Sequence, residues 1–333
     1  MLPAPVSLVK RGGFRRSSNA SRRRLTDDLL LRARITNLGL LLLSAVTAVS
    51  LLYNLSYVFA TRHASITELN IHGSLGPWSI ADTIQRDAGI QKLSHLIIVP
   101  GHAIWKGSDP TRVLDEEDWI LEPYQRGGGR VGAFLQHIKG GVERALGDER
   151  ALLVFSGGQT RTASVFTEAD SYLRLAMEQG LLPLGFLRAT TENYALDSYQ
   201  NLLYSIARFH EYVGYYPEFI SIVGYEMKRE RFENVHRTAL RWPADRFRYI
   251  GVDIAADHSD AAMQGELNNA LIPYKKDLYG CHPPLSTKRR NRNPFARFHS
   301  YYTSAPELAG LMNYCPESGT SKIFDGPLPW DNL

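Results

Sequence analysis

The residues that could do chemistry stand in four short groups along the chain. Ser156-Gly157-Gly158 ends an apolar run over 151–155 and precedes a helical pattern that carries Glu168. Glu192, Ser198 and Asn201 follow a weaker strand pattern around 186–188, and Lys228 and Arg231 open a basic helix after the apolar run 219–223. Gly101 lies in the turn that closes LIIVPGH, residues 96–102. A glycine turn that opens into a helix exposes backbone N–H groups to an anion. Arginine suits bidentate recognition of phosphate or carboxylate. Glu168 and Glu192 are carboxylates for acid–base work. Ser198 and Asn201, three residues apart, share one helix face. Each residue also has a plain structural reading. The glycines would then only make a tight turn, Ser198 or Asp197 would only cap a helix, and Glu168 would only favour a helix start. Arg231 would sit on an exposed face and contribute little to folding.

The elements that position these groups follow a regular alternation. Strands are expected at 96–100, 151–155, 186–188, 219–223 and 247–252. Helices are expected at 125–146, from about 164 to 179, at 198–212, 226–240 and 259–279, with an irregular acidic loop over 103–124. Five strand–helix units with crossover spacing predict an α/β domain with a mainly parallel sheet and helices on both faces, a Rossmann-like three-layer fold. Right-handed crossovers bring every strand's C-terminal end to one edge, where all four polar groups would meet.

The rest of the chain divides by composition. The net charge is +4, yet residues 1–34 hold nine Lys or Arg against Asp27 and Asp28, so the remainder is net negative. The high isoelectric point therefore belongs to the tail and gives no reason to expect nucleic-acid binding by the domain. Residues 1–34 read as a disordered basic tail. Residues 35–61 carry no Asp, Glu, Lys or Arg and are long enough to cross a bilayer, which predicts one N-terminal transmembrane helix. The flanking charge puts the tail in the cytosol and the domain across the membrane, a type II arrangement in the Golgi or ER. A mitochondrial transit peptide is the alternative address. Residues 62–94 connect, 95–281 form the domain, and 282–333 form an appendage whose basic run at 288–297 reads as a solvated loop. In an oxidising lumen Cys281 and Cys315 would pair and pin that appendage. Neither a P-loop, a G-x-S-x-G elbow, an HExxH helix nor a metal-ligand spacing occurs, so no cofactor is named.

The SGG turn, the Glu168-Ala169 pair, the Glu192…Ser198…Asn201 array and the strand followed by Lys228-Arg229-Glu230-Arg231 together resemble the YdcF-like family, also called the SanA/ElyC/YdcF group, in a membrane-anchored, fungal-type branch. Arg231 falls on the family's arginine, and Lys228 stands where a histidine is usual. The resemblance covers about 95–255. It implies a Rossmann-like fold and a pocket for a phosphorylated or nucleotide-like small molecule, without an established reaction. Two other functions fit the same plan: a Golgi-type sugar-nucleotide glycosyltransferase and a non-catalytic membrane-anchored scaffold.

Overall fold

The computed structural model describes residues 42–56, 84, 86–253, 260–320 and 322–333. The chain divides into two units, Met1–Ser79 and Ile80–Leu333. In the first, residues 42–56 form a helix (α1) with Leu42, Leu43, Val46 and Leu52 exposed. Among the described residues no helix is long and apolar enough to cross a membrane. The expected span over 35–61 runs beyond the described part at both ends.

The second unit is built on a five-stranded sheet. Its strands are β1 (His95–Pro100), β4 (Ala151–Ser156), β5 (Ala189–Glu192), β6 (Phe219–Gly224) and β7 (Phe247–Gly251), in the order β5-β4-β1-β6-β7. Every pairing is parallel. Two further strands, β2 (Ile104–Trp105) and β3 (Trp119–Ile120), pair antiparallel inside the segment expected to be irregular. Buried Trp105 and Trp119 anchor that segment in the core on the face of the sheet covered by helices α2 (Arg130–Gly147) and α3 (Glu168–Glu178). Successive residues of β1 point to opposite faces. Leu96 and Ile98 join a core with helix α4 (Ser198–Val213), while Ile97 and Val99 join the one with α2 and α3. The result is a mixed α/β, three-layer domain, consistent with the Rossmann-like expectation.

Three expectations are corrected. The third strand is Ala189–Glu192 rather than 186–188. Its β-branched Thr190 and Thr191 pair with Val154 and Phe155, and the apolar residues before them form a loop with Leu181, Leu182 and Phe186 half-buried against the core and Leu184 and Leu187 exposed. The helix expected at 226–240 is broken into a 3-10 turn, Glu226–Lys228, a π-helical stretch, Arg231–His236, and a last α-turn, Arg237–Ala239. Residues 282–333 are no loose appendage. Leu285, Tyr301, Leu308, Leu311, Leu328 and Trp330 are buried in the core on the α4 face.

Candidate functional site

The chain runs outward from β1 through β4 to β5, then crosses back to β6 on the other side of β1. In an open parallel sheet a crevice opens at such a switch point, outside the C-terminal ends of the strands. A cavity of about 860 Å³ lies there. Gly101 and His102 border it after β1, and Gly224 at the end of β6 with Tyr225 and Lys228 after it. The start of α4 contributes Ser198 and Asn201, and the helix after β7 contributes Glu266 and Asn269. The C-terminal segment closes it with Lys288 and Arg292 from and beside helix Leu285–Asn291. Six basic side chains (Arg130, Arg161, Lys228, Arg231, Lys288, Arg292) face four acidic ones (Glu122, Glu168, Asp197, Glu266), so the cavity favours an anion.

Of the residues singled out from the sequence, Gly101, Glu168, Ser198, Asn201, Lys228 and Arg231 line this cavity. Ser156, Gly157, Gly158 and Glu192 sit behind it. The glycine turn offers no free amides. Gly157 N–H donates to the Glu192 carbonyl (2.9 Å) and Gly158 N–H to the Ala195 carbonyl (2.7 Å). At the start of α3, the N–H groups of Glu168 and Ala169 donate back to the carbonyls of Gly158 and Gly157 (3.1 Å each). The role of the glycines is steric. A Cβ at Gly101 would come within 2.5 Å of the Glu168 Cβ, and one at Gly157 within 2.8 Å. Both positions must be bare for Glu168 to reach the cavity, where its carboxylate accepts from Thr160 Oγ1 at 2.6 Å.

Glu192 is fully buried. Its carboxylate accepts from Ser156 Oγ (2.7 Å), from the N–H groups of Tyr194 (2.8 Å) and Ala195 (3.2 Å), and from the Tyr301 hydroxyl (3.3 Å). Burial outweighs these donors and pushes the carboxyl up to about 7. Asn201 Oδ1 lies 3.0 Å from the same Ser156 hydroxyl. The cluster ties β4, β5, α4 and the C-terminal segment together.

The other wall is less completely satisfied. Lys228 Nζ lies 2.8 Å from His102 Nε2. The His102 turn is held by Tyr172, whose hydroxyl accepts its N–H (3.2 Å), and by Gln125, whose amide donates to its carbonyl (2.8 Å). Burial, then the charges of Lys228 and His137, hold the His102 imidazole well below its ordinary range. Burial, then the Arg231 guanidinium, brings Lys228 down to about 7. When Lys228 holds its proton, the pair is an ammonium donating to a neutral imidazole. An imidazole that accepts at Nε2 carries its proton on Nδ1, which is buried. A lysine poised near neutral pH can receive an anion or exchange a proton with it.

Arg231 is not the exposed residue expected. It is buried, with its Nε 3.2 Å from Glu266 Oε1, and the two side chains are only 8% and 10% exposed. It starts one π-helical stretch, and Glu266 directly precedes another, Leu267–Leu271. Such stretches are uncommon and recur at functional sites. Ser198 Oγ is 2.8 Å from Nε2 of buried His236. Asp197 caps α4 by accepting from Gln200 N–H (2.9 Å) and is ion-paired with Arg289. Arg292 donates to the Leu196 carbonyl at 3.0 Å. The basic run read as solvated thus clamps the C-terminal segment onto the start of α4. The i, i+4 spacing of Lys288 and Arg292 was the available signal, since it puts two cations on one helix face.

Cys281 and Cys315 are joined by a disulfide, with Cα atoms 5.9 Å apart. This matches the expected pin. His282 stands beside the two sulfurs. With both in the disulfide they are not thiolate ligands for a metal.

No family model matches the chain, and no solved structure matches it. It is similar to a protein of Saccharomyces cerevisiae described as "Uncharacterized protein YOR238W", 31% identical over 277 residues, covering 67% of this chain and 89% of the yeast protein. At that identity over most of the relative's length, the chain belongs to the same family as the yeast protein YOR238W.

Proposed function

We propose that this is a membrane-anchored protein whose α/β domain binds, or acts on, a phosphorylated or nucleotide-like small molecule in the switch-point cavity. The observation that carries the reading is the surplus of basic side chains around about 860 Å³ of space at the C-terminal ends of β1 and β6. That volume accommodates a nucleotide-sized ligand. Lys228 and Arg292 would meet the anionic end, with Glu168 and the Lys228–His102 pair as the groups able to move a proton. Aromatic Tyr124, Phe232, Tyr249 and Tyr274 offer walls for an apolar or ring-bearing part. The YdcF-like resemblance, with Arg231 and Lys228 in the last motif, supports the same ligand class.

The uncharged stretch at 35–61 supports a single-pass anchor, and the basic tail before it supports a cytosolic N-terminus. The Cys281–Cys315 disulfide supports an oxidising lumen, Golgi or ER, for the domain.

The test is a thermal-shift screen of the full chain in detergent with ADP, a uridine diphosphate sugar and a hexose phosphate. A ligand present at 100 times its Kd raises stability by about 2.7 kcal/mol. Stabilisation by the anionic compounds and none by their uncharged counterparts is the expected result. No stabilisation by any of them at millimolar concentration would overturn the reading.

A further inference from the structure

In a parallel sheet the N-terminal ends of all strands share the edge opposite the cavity. That edge carries an unusual loop, LLPLGFL, residues 181–187, between α3 and β5. Leu184 is fully exposed and Leu187 is 61% exposed. The loop is fixed rather than loose. Phe186 N–H donates to the Pro183 carbonyl (3.1 Å), and Gly185 has φ +76°, which makes a turn with Leu184 at its tip. The Arg188 guanidinium anchors the loop to the carbonyls of Ala145, Asp148 and Ala151 at 2.6–3.0 Å, and Tyr212 donates its hydroxyl to the Leu187 carbonyl. Met177, Leu146 and Tyr215 are further exposed apolar or aromatic residues at this edge. A scattered exposed leucine needs no explanation, but a rigid turn that holds two outward among other apolar groups does.

The same edge is where the chain enters the domain. Arg86 donates to the carbonyls of Tyr212 (3.1 Å) and Glu211 (2.7 Å) at the end of α4. Tyr212 therefore links the point of entry to the apolar loop. Upstream of Arg86 lies the uncharged stretch 35–61, connected by residues 62–85.

We infer that this edge rests on the lipid bilayer, with Leu184 and Leu187 inserted among the headgroups and the cavity on the opposite edge open to water. The inference rests on the membrane-anchored reading given above. Insertion rather than charge would hold the edge down, because exposed Glu149, Glu178 and Glu218 lie beside Lys92 and Arg150 there. A bilayer of phosphatidylcholine alone is therefore a sufficient surface.

The test uses the full chain reconstituted in phosphatidylcholine vesicles. Both native cysteines are in their disulfide, so Leu184→Cys or Val165→Cys supplies a single thiol for an environment-sensitive fluorophore. Val165 is 81% exposed and follows β4 at the cavity edge. The expected result is blue-shifted emission for the label at 184, with more than half its intensity lost when doxyl-labelled lipid is included. The label at 165 should show water-like emission and no quenching. Carbonate extraction of the same vesicles separates two kinds of failure. A chain released by carbonate overturns the anchored reading, and this inference with it. A chain that resists carbonate while the two labels behave alike leaves the anchor standing and overturns the docked edge. So does a label at 184 that is shielded in detergent by a second copy of the chain but never quenched by lipid.

Discussion

The two walls of the cavity are made of similar residues used in opposite ways. On the β4–β5 side, Ser156, Glu192, Asn201 and Tyr301 are bonded to one another and to backbone amides. On the β1–β6 side, Lys228 faces the cavity with a neutral imidazole as its near partner. A carboxylate or hydroxyl at a strand end is thus no site by itself. What distinguishes the second wall is that its charges are incompletely paired, so a ligand has something to complete. Substitutions on the first wall should act on stability, and substitutions at Lys228 on binding.

The largest effect is expected at the point that joins both behaviours. Arg231→Ala leaves Glu266 as a buried carboxylate without its partner. Breaking a buried pair from one side costs about 3–5 kcal/mol. Urea unfolding should show that loss, and the double change Arg231→Met with Glu266→Leu should recover most of it. A loss below about 1 kcal/mol for the single change would make the pair incidental and would move Arg231 to the binding wall.

Next comes the cross-link that holds the C-terminal segment against the cavity. Cys281 and Cys315 are separated by 34 residues, and the chain-entropy relation gives about 3–4 kcal/mol for closing such a loop. Cys281→Ser together with Cys315→Ser should lower the urea midpoint accordingly. It should also weaken ligand binding, since Lys288 and Arg292 lie within the closed loop. Unchanged binding would mean that the core contacts of Tyr301 and Leu308 hold the segment unaided.

The satisfied wall makes a pH-dependent prediction. In the folded chain Glu192 titrates at about 7, above the ordinary 4.5 of a glutamate, because it is buried. The raised value means that the folded state holds its proton while the unfolded state loses it. Stability from this group is therefore complete below about pH 4.5 and is lost as pH rises through 7. The shift corresponds to a loss on the order of 3 kcal/mol. Glu192→Gln, which keeps the shape and one of the two acceptor oxygens, should flatten the stability profile across that window. A profile identical to that of the parent would assign the titration elsewhere.

Much of this architecture was legible in the sequence, for identifiable reasons. LIIVPGH, ISIV and the helix beginning at Ser198 are long or strongly patterned, and the observed β1, β6 and α4 fall on them. The edge strand β5 was displaced by three residues, because LLPLGFL is more apolar than ATTE although only the latter pairs with β4. The cavity could be located from the alternation of strands and helices, since parallel topology alone gathers the strand ends. The roles at its rim could not. Whether Gly157 offers an amide or makes room for Glu168 depends on where the Glu192 carbonyl lies. The burial of Arg231 depends on Glu266, far along the chain. The wall formed by Lys288 and Arg292 was hidden because a basic run reads the same whether it faces water or a cavity.

The smallest effect on stability, and the sharpest contrast between the walls, is expected at Lys228. Its ammonium is lowered to about 7 from an ordinary 10.5, first by burial and then by Arg231. A depressed value means that the unfolded chain binds the proton more readily. Stability from this group is present above about pH 10.5 and is lost as pH falls through 7, where the folded protein must accept a charge. Lys228→Met removes that burden and keeps most of the side-chain volume, so the variant should be as stable as the parent at pH 7, or slightly more stable. Binding should respond in the opposite sense. An anion is met by the ammonium only while Lys228 holds its proton, so the affinity for ADP should fall about tenfold per pH unit above 7. In Lys228→Met it should be weak and flat across the same range. Equilibrium titrations of parent and variant from pH 6 to 9 would show this directly. If the two proteins keep the same pH slope, Lys228 is not the group that receives the anion, and that group must be sought at Arg292 on the C-terminal segment.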